Sequence, residues 1–323
     1  MSKLSDKYIA GFLDADGSIG VLWGSAKVPR YTGRLVIGWS QKSSHDEVLK
    51  QIQEAVGGTI DQVEVNGTMY SSLNLTCGAA EKVLNRIVKY LVIKRHYANA
   101  CLQIVGSKVD NVEEAKAWLK EQRRVKSLPI PKFPSRRWMA GYFDGDGCLS
   151  STLQGRYKYA TLKLNIAAAE YDTEGIETIQ KNFGGCITDM CDGRVKQYNV
   201  CLNPSKAIKM LSYFAKHLIV KKDQAYFVLG CAKMGHYRGG KNIKLALKRL
   251  KNTHLHRLNE PKQEVAELLA TVEDRQKPWK KTGALVCIEC GTSRHRHMGN
   301  GLCSSCYQKQ RRIHVKLQSE IAA

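Results

Sequence analysis

A nine-residue pattern occurs twice in this chain of 323 residues. Residues 9–17 read Ile-Ala-Gly-Phe-Leu-Asp-Ala-Asp-Gly, and residues 139–147 read Met-Ala-Gly-Tyr-Phe-Asp-Gly-Asp-Gly, 130 residues later. An aromatic residue, Tyr8 or Trp138, precedes each copy. Because each copy opens a segment of similar length, the pattern predicts a duplicated module whose halves each contribute acidic residues to a shared centre.

Each copy is predicted to form an α-helix. Ser5 and Ser135 stand where an N-cap is expected. Gly17 and Gly147 stand where a left-handed C-terminal residue is expected. The Ala-Gly pair inside each copy lacks bulk, so two such helices are expected to pack backbone to backbone.

This packing would bring four acidic residues together: Asp14, Asp16, Asp144 and Asp146. Carboxylates at the C-terminal ends of two helices face the negative ends of two helix dipoles, which is unfavourable unless a cation lies between them. Carboxylate ligands favour a divalent cation such as Mg²⁺. Solvated helix ends without a cation are the alternative. A calcium loop is excluded because Phe12 and Trp23 would occupy ligand positions.

The similarity extends beyond the nonapeptides. In the same order, each half has a strand-like run, a helix ending at Gly-Gly, a hairpin turn and another helix. In the first half these lie at residues 34–40, 47–56, 66–67 and 79–90. In the second half they lie at residues 159–167, 174–183, 192–193 and 205–217. The turns are Asn-Gly and Asp-Gly, strong type I′ signals, so each half is predicted to be α-β-β-α-β-β-α.

The charge of the chain indicates what kind of molecule it binds. The net charge is +22 and the isoelectric point is about 9.6. No apolar stretch is long enough to span a bilayer and no signal peptide is recognisable, so nucleic acid is the expected polyanion and an intracellular location, in cytoplasm, nucleoid or organelle, is expected. Seven of the 11 cysteines have no framework spacing and are expected to be reduced.

With its two motifs and two αββαββα halves, the chain resembles the double-motif, monomeric LAGLIDADG homing endonucleases over roughly residues 4–235. The resemblance implies an α+β fold in which two pseudo-twofold halves form a saddle of antiparallel sheets over double-stranded DNA. It also implies a monomeric, site-specific nuclease that uses Mg²⁺ or Mn²⁺. Such an enzyme would cut both strands of a long asymmetric target and leave short 3′ overhangs.

The resemblance assigns the catalytic carboxylates to the second acid of each motif, Asp16 and Asp146, which would hold the divalent cation. The first acids, Asp14 and Asp144, are expected mainly to cap the motif. Each half would thus contribute one metal ligand to the centre.

Three further positions follow from the same resemblance. Lys94 and Lys221, 127 residues apart, match the basic residue that stabilises transition-state charge or polarises water. Gln41 matches a polar residue that orders water. Its counterpart at the same offset is Ala168, so the second half is expected to organise water differently or to cut its strand more slowly.

Outward-facing side chains of the two sheets are expected to read base edges in the major groove. The candidates are Lys27, Arg30, Arg34, Arg156, Lys158, Lys163, Arg194 and Lys196. A solvated strand face is the alternative for each of them.

Four cysteines near the C-terminus have the spacing C-x2-C-x12-C-x2-C: Cys287, Cys290, Cys303 and Cys306. This spacing is typical of structural zinc modules. The surrounding segment is basic, so the finger is expected to contact DNA, with a structural or protein-binding role as the alternative.

The predicted domains are residues 1–110 and 135–232 for the two halves, with residues 111–134 as the linker between them. A basic extension with a short helix follows at residues 233–280, and the zinc finger occupies residues 281–316. Two other functions fit the same scaffold: an intron RNA maturase and a catalytically inactive DNA-binding regulator.

Overall fold

The structure is a computed structural model. It describes residues 4–23, 33–105, 107, 109–125, 134–154, 159–169, 173–191, 196–202, 204–233, 246–248, 250, 297–299 and 302–309. No described helix is long and apolar enough to cross a membrane.

The first half is built around a four-stranded antiparallel sheet of order β1-β2-β4-β3. Its elements are α1 (Asp6–Asp16), β1 (Gly17–Trp23), β2 (Gly33–Lys42), α2 (Glu47–Val56), β3 (Thr59–Val65), β4 (Thr68–Thr76), α3 (Cys77–Ile87) and α4 (Arg95–Val105). A short 3₁₀ turn, Val88–Tyr90, follows α3. The predicted α-β-β-α-β-β-α order is therefore present, and α4 is an addition to it.

The second half repeats this order around a sheet of order β5-β6-β8-β7. Its elements are α6 (Arg136–Asp146), β5 (Gly147–Gln154), β6 (Tyr159–Ala169), α7 (Glu174–Phe183), β7 (Cys186–Cys191), β8 (Lys196–Leu202), α8 (Pro204–Phe214) and α9 (Lys222–Lys233). Between the halves lies α5 (Val112–Gln122), which begins at the N-cap Asn111 inside the predicted linker. The fold is α+β, as the sequence predicts.

The first sheet has one buried and one exposed face. Leu35, Ile37 and Trp39 of β2 are buried, and α3 and α4 pack against this strand. Arg34 and Ser40 alternate with them and are exposed, because successive strand side chains point to opposite faces. We call the exposed face, which carries Arg34 and Ser40, the outer face of the first sheet.

Backbone geometry confirms the predicted hairpin turn of the first half. Asn66 has a φ of 51° and Gly67 a φ of 74°, and both positive values are those that a type I′ turn requires. The register runs from Val65 opposite Thr68 to Thr59 opposite Asn74. The corresponding turn at residues 192–193 lies outside the described residues.

The predicted left-handed glycines at the ends of the motif helices are wrong. Gly17 has φ −87° and ψ 160°, and Gly147 has φ −74° and ψ 144°, so both are extended. Each helix passes directly into a strand, which leaves no room for a separate cap. Glycine is required by space instead: a Cβ at position 17 would lie 2.7 Å from the carbonyl oxygen of Leu13, and one at position 147 would lie 2.5 Å from that of Phe143.

Candidate active site

The two motif helices, α1 and α6, pack against each other backbone to backbone. A Cβ atom at Gly11 would lie 2.1 Å from the carbonyl oxygen of Trp138. A Cβ at Gly141 would lie 2.2 Å from the carbonyl oxygen of Tyr8. No side chain fits at these distances, so the Ala-Gly pairs explain how the helices approach so closely. The predicted packing is confirmed.

At their C-terminal ends the two helices remain in contact. A Cβ at Gly145 would lie 2.4 Å from Cβ of Ala15 and 3.1 Å from Oδ2 of Asp16. The second motif therefore has glycine where the first has Ala15, and this absence of a methyl group leaves space for the Asp16 carboxylate. The catalytic candidate of one half thus lies against the helix end of the other.

The first acid of the first motif, Asp14, is buried and fully bonded. Its carboxylate accepts hydrogen bonds from the backbone N–H groups of Val92 at 2.7 Å and Lys94 at 2.8 Å, and from the indole N–H of Trp138 at 2.9 Å. Burial raises the pKa of the Asp14 carboxyl, and the donors from Lys94 and Val92 lower it. Asp14 therefore ties the segment after α3 and the partner helix α6 to α1.

Asp144 makes the equivalent bonds in the second half. It accepts from the backbone N–H groups of Ile219 at 2.7 Å and Lys221 at 2.8 Å, and from the hydroxyl of Tyr8 at 2.6 Å. Each first acid is thus bonded to the aromatic residue that precedes the other motif. Although the sequence shows both aromatic residues, this exchange between the halves is not evident from it. The feature of the sequence that could have indicated this exchange is that Tyr8 and Trp138 both have a hydrogen-bond donor on their side chains.

The two predicted lysines donate hydrogen bonds to backbone carbonyl oxygens at the C-terminal ends of the motif helices. Nζ of Lys94 donates to the carbonyl oxygens of Leu13 at 2.8 Å, Ala15 at 3.1 Å and Gly17 at 2.8 Å. The three N–H bonds of this ammonium therefore have backbone acceptors at the negative end of the α1 dipole.

Lys221 does the same for α6. Its Nζ donates to the carbonyl oxygens of Phe143 at 2.9 Å, of Gly145 at 2.8 Å and of Asp144. Burial lowers the pKa of the Lys221 ammonium, while Asp144, Asp16 and Asp146 raise it. One lysine therefore interacts with acids of both halves.

Asp16 is in contact with Gln41, an interaction that the sequence analysis did not predict. The side-chain amide of Gln41 donates to Oδ2 of Asp16. Burial raises the pKa of the Asp16 carboxyl, and this is opposed by the charge of Lys221, the bond from Gln41 and the charge of Lys94. The opposing charges come from both halves of the molecule.

The register of the strands identifies the counterpart of Gln41. Gly17 lies opposite Trp39 in the first sheet, and Gly147 lies opposite Ile166 in the second. Two residues further along the respective strands are Gln41 and Ala168. The methyl group of Ala168 cannot donate a hydrogen bond, so the two acidic positions differ in this respect.

The sequence-predicted DNA contacts are only partly described. Arg34 is exposed on the outer face of the first sheet. Lys163 and Lys196 lie in β6 and β8, where the backbone alone is described. The remaining candidates lie outside the described residues: Lys27, Arg30, Arg156, Lys158 and Arg194.

Two of the four cysteines predicted to bind zinc lie among the described residues. Two short strands, β9 (His297–Gly299) and β10 (Leu302–Cys303), form an antiparallel hairpin. Cys303 is buried at the end of β10, and Cys306 is half-buried in the helical segment 304–309 that follows. Cys287 and Cys290 lie outside the described residues.

The predicted metal ligands, Asp16 and Asp146, lie at the ends of the motif helices. The described part of the chain contains no group of three or more His, Cys, Asp or Glu side chains that would hold a metal ion. Asp16 and Asp146 instead end two helices that touch each other, and the charges of both act on Lys221. Two carboxylates with additional oxygen ligands from water or phosphate suit Mg²⁺, which usually binds few protein ligands.

Comparison with known proteins identifies a related family. Residues 139–232 match the family model for the LAGLIDADG endonuclease. No curated protein sequence matches the chain.

Solved structures of LAGLIDADG proteins share the fold. The homing endonuclease I-GzeII in complex with its DNA target has a TM-score of 0.55 and 15% identity, over 80% of this chain and 100% of that one. I-SmaMI bound to cleaved DNA has a TM-score of 0.53 and 18% identity, over 80% and 98%.

I-SmaMI bound to an uncleaved DNA target in the presence of calcium ions has a TM-score of 0.52 and 16% identity, over 84% and 99%. At these identities the likeness concerns the fold, and the family match concerns the second half. The chain therefore has the LAGLIDADG homing endonuclease fold, and its residues 139–232 carry the LAGLIDADG endonuclease family signature.

Proposed function

We propose that the chain is a monomeric, site-specific endonuclease that hydrolyses one phosphodiester bond in each strand of a long asymmetric DNA target. The observation that carries this proposal is the meeting of Asp16 and the α6 end, where the acids of both halves interact with Lys221. Hydrolysis adds the oxygen of water to phosphorus and breaks one P–O bond in each strand. The expected products have short 3′ overhangs.

Asp16 and Asp146 are proposed to hold the divalent cation, Mg²⁺ or Mn²⁺, that the reaction needs. When bound, such a cation neutralises phosphate charge and lowers the pKa of water. Gln41 positions the Asp16 carboxylate through its amide and is expected to orient water beside it. Asp14 and Asp144 are bonded to three donors each and are proposed to be structural.

Lys94 and Lys221 are proposed to act first on the charge of the helix ends. By donating to carbonyl oxygens of α1 and α6 they offset the negative dipole ends, which would otherwise repel the nearby carboxylates. The resemblance implies that these lysines stabilise transition-state charge directly. For this role, the ammonium group must give up one hydrogen bond to a helix carbonyl and donate to a phosphate or water oxygen instead.

Cleavage of the DNA that flanks the gene for this chain, rejoined without the gene, tests the proposed function. The purified chain is incubated with this DNA and Mg²⁺ or Mn²⁺, and the ends are sequenced. A double-strand break at one position supports the proposal. Tight binding to intron RNA without cleavage would identify a maturase, and DNA binding without cleavage would identify a regulator.

The asymmetry between Gln41 and Ala168 predicts unequal cutting of the two strands. A supercoiled plasmid should pass through a nicked form, because Ala168 provides no amide at the position equivalent to Gln41. Gln41→Ala should slow the faster strand about tenfold, the lower range for a residue that orients a ligand, and Ala168→Gln should shorten the lifetime of the nick. Strand-specific end labels measure both rates.

Gln62→Ala serves as the control, because Gln62 is an exposed amide in the same row of the first sheet as Gln41, and it should leave both rates unchanged. Equal strand rates in the unmodified protein, unaffected by Gln41→Ala, would contradict the assigned role of Gln41.

The four C-terminal cysteines are proposed to bind one structural Zn²⁺. Cys303 at a strand end and Cys306 three residues later place two thiols at one strand-to-helix junction, an arrangement in which both reach the same ion. So small a module gains most of its stability from the metal. Because the segment is basic and lies outside the two halves, it is expected to be a separate DNA-affinity element.

Cys303→Ser is therefore expected to abolish zinc binding and weaken DNA affinity. The slope of log affinity against log salt should become shallower by about 0.9 for each phosphate that the variant no longer neutralises. Atomic emission counts zinc per chain, and titrations at several salt concentrations give the slope. Cys77→Ser, at an exposed cysteine in α3, is the matched control. An unchanged slope after zinc loss would mean that the finger does not contact DNA.

A further inference from the structure

The outer face of the first sheet carries exposed aliphatic residues in an unusual concentration. Six large hydrophobic side chains are strongly exposed among the described residues. Three of them lie on this face: Leu22 is 58% exposed, Val63 54% and Val65 49%. Single exposed hydrophobic residues need no explanation, but three on one face of a sheet, two of them neighbours on β3, indicate a surface that binds a partner.

The strand register places Val63 and Val65 among polar groups. Lys42, Tyr70 and Val63 form one row across β2, β4 and β3. In the next row, Ser40 and Ser72 share a 2.7 Å hydrogen bond between their hydroxyls, and Asp61 follows them. The valines thus belong to a surface of mixed donors, acceptors and methyl groups.

The charged residues on this surface indicate whether it would contact the base edges or the phosphate backbone of DNA. Lys42 and Arg34 are exposed cations on the outer face, and the chain as a whole carries +22. Asp61, also exposed, would be repelled by phosphates but accepts hydrogen bonds from amino groups of bases. The rows that contain Asp61 and Val63 therefore suit base edges in the major groove better than the phosphate backbone.

We propose that Val63 and Val65 contact thymine methyl groups and so set a preference for thymine at two positions of the target. The C5-methyl of thymine is the apolar group that natural bases present in the major groove. The inference rests on the proposed function, because it assumes that the outer face lies on DNA.

Spacing supports two separate contacts. Residues two apart on a strand are about 6.6 Å apart, and base pairs rise by about 3.4 Å along the helix. If β3 follows the groove, the two thymines should be about two base pairs apart. Neither valine belongs to the acidic centre, so substitutions here leave the cutting machinery intact.

Deoxyuridine substitution is the direct test, because it removes the methyl group and leaves the hydrogen bonds of the base unchanged. The preferred target is first selected from randomised DNA with the full chain, without Mg²⁺. Each thymine is then replaced singly by deoxyuridine. Two replacements should weaken binding about fourfold each, the value for one methyl group removed from water.

Val63→Ser, which leaves no methyl group, should abolish the sensitivity at one of these positions and Val65→Ser at the other. Met69→Ala is the matched control: Met69 is 43% exposed on the same hairpin but lies opposite Glu64 on the other face, so both sensitivities should persist. Circular dichroism verifies the fold of each variant.

Failure of this proposal is distinguishable from failure of the nuclease proposal. Binding to a selected target that is equally tight with deoxyuridine at every thymine overturns the methyl-reading proposal and leaves the nuclease proposal standing. Sensitivity that persists in both valine variants overturns it as well. Absence of sequence-selective DNA binding overturns both proposals together.

Discussion

Replacing either Asp16 or Asp146 with asparagine is expected to lower strand cleavage by at least about a hundredfold, while DNA affinity changes little. The amide has the shape of the carboxylate but lacks its charge, and the transition-state stabilisation supplied through a bound cation is worth several kcal/mol. Each 1.36 kcal/mol corresponds to tenfold in rate. Single-turnover cleavage and equilibrium binding of the same target separate the two effects.

Glu54→Gln provides the control for charge, since Glu54 is exposed on α2 away from the motif helices. Its cleavage rate should equal that of the unmodified protein. If Asp16→Asn or Asp146→Asn cut both strands at the original rate, the shared cation would be excluded.

Removing a first acid should damage stability rather than chemistry. Asp144→Ala leaves the N–H groups of Ile219 and Lys221 and the hydroxyl of Tyr8 without their acceptor. Breaking such a buried, charged set of bonds is expected to cost about 3–5 kcal/mol. Urea unfolding of the purified variants gives the change in free energy of unfolding.

Tyr8→Phe is a milder variant for comparison with Asp144→Ala, because it removes one hydrogen-bond donor and leaves the two backbone hydrogen bonds to Asp144. Its expected cost is about 1–3 kcal/mol, smaller than that of Asp144→Ala. If Asp144→Ala does not fold, Tyr8→Phe still tests the link between the halves. A first-acid variant with unaltered stability and no cleavage would show that Asp144 belongs to the reacting groups instead.

Local patterns predict the repeated elements well. The Asn66–Gly67 turn, the serine N-caps at Ser5 and Ser135 and the glycines after α2 and α7 all depend on residues close in sequence. The close crossing of α1 and α6 also follows, because the small Ala-Gly pair in each motif lets the two helix backbones approach closely. The family match over residues 139–232 and the solved LAGLIDADG structures agree with the predicted fold.

Interactions between distant segments could not be predicted in the same way. The bond from Trp138 to Asp14 joins residues 124 positions apart, and its geometry depends on how the helices cross. Gly17 is extended because α1 is followed directly by β1. The helix pattern in the sequence does not show where that strand begins, so this conformation could not be predicted from it. Likewise, the sequence locates Lys94 but does not reveal that its ammonium lies on helix carbonyls.

Anomalous scattering from Mn²⁺ in crystals of the protein bound to its DNA target tests the central claim most directly. We predict density about 2.1 Å from carboxylate oxygens of both Asp16 and Asp146, at the touching ends of α1 and α6. Manganese bound instead at Asp14 or Asp144, or found only away from these helix ends, would contradict the assignment of the catalytic centre.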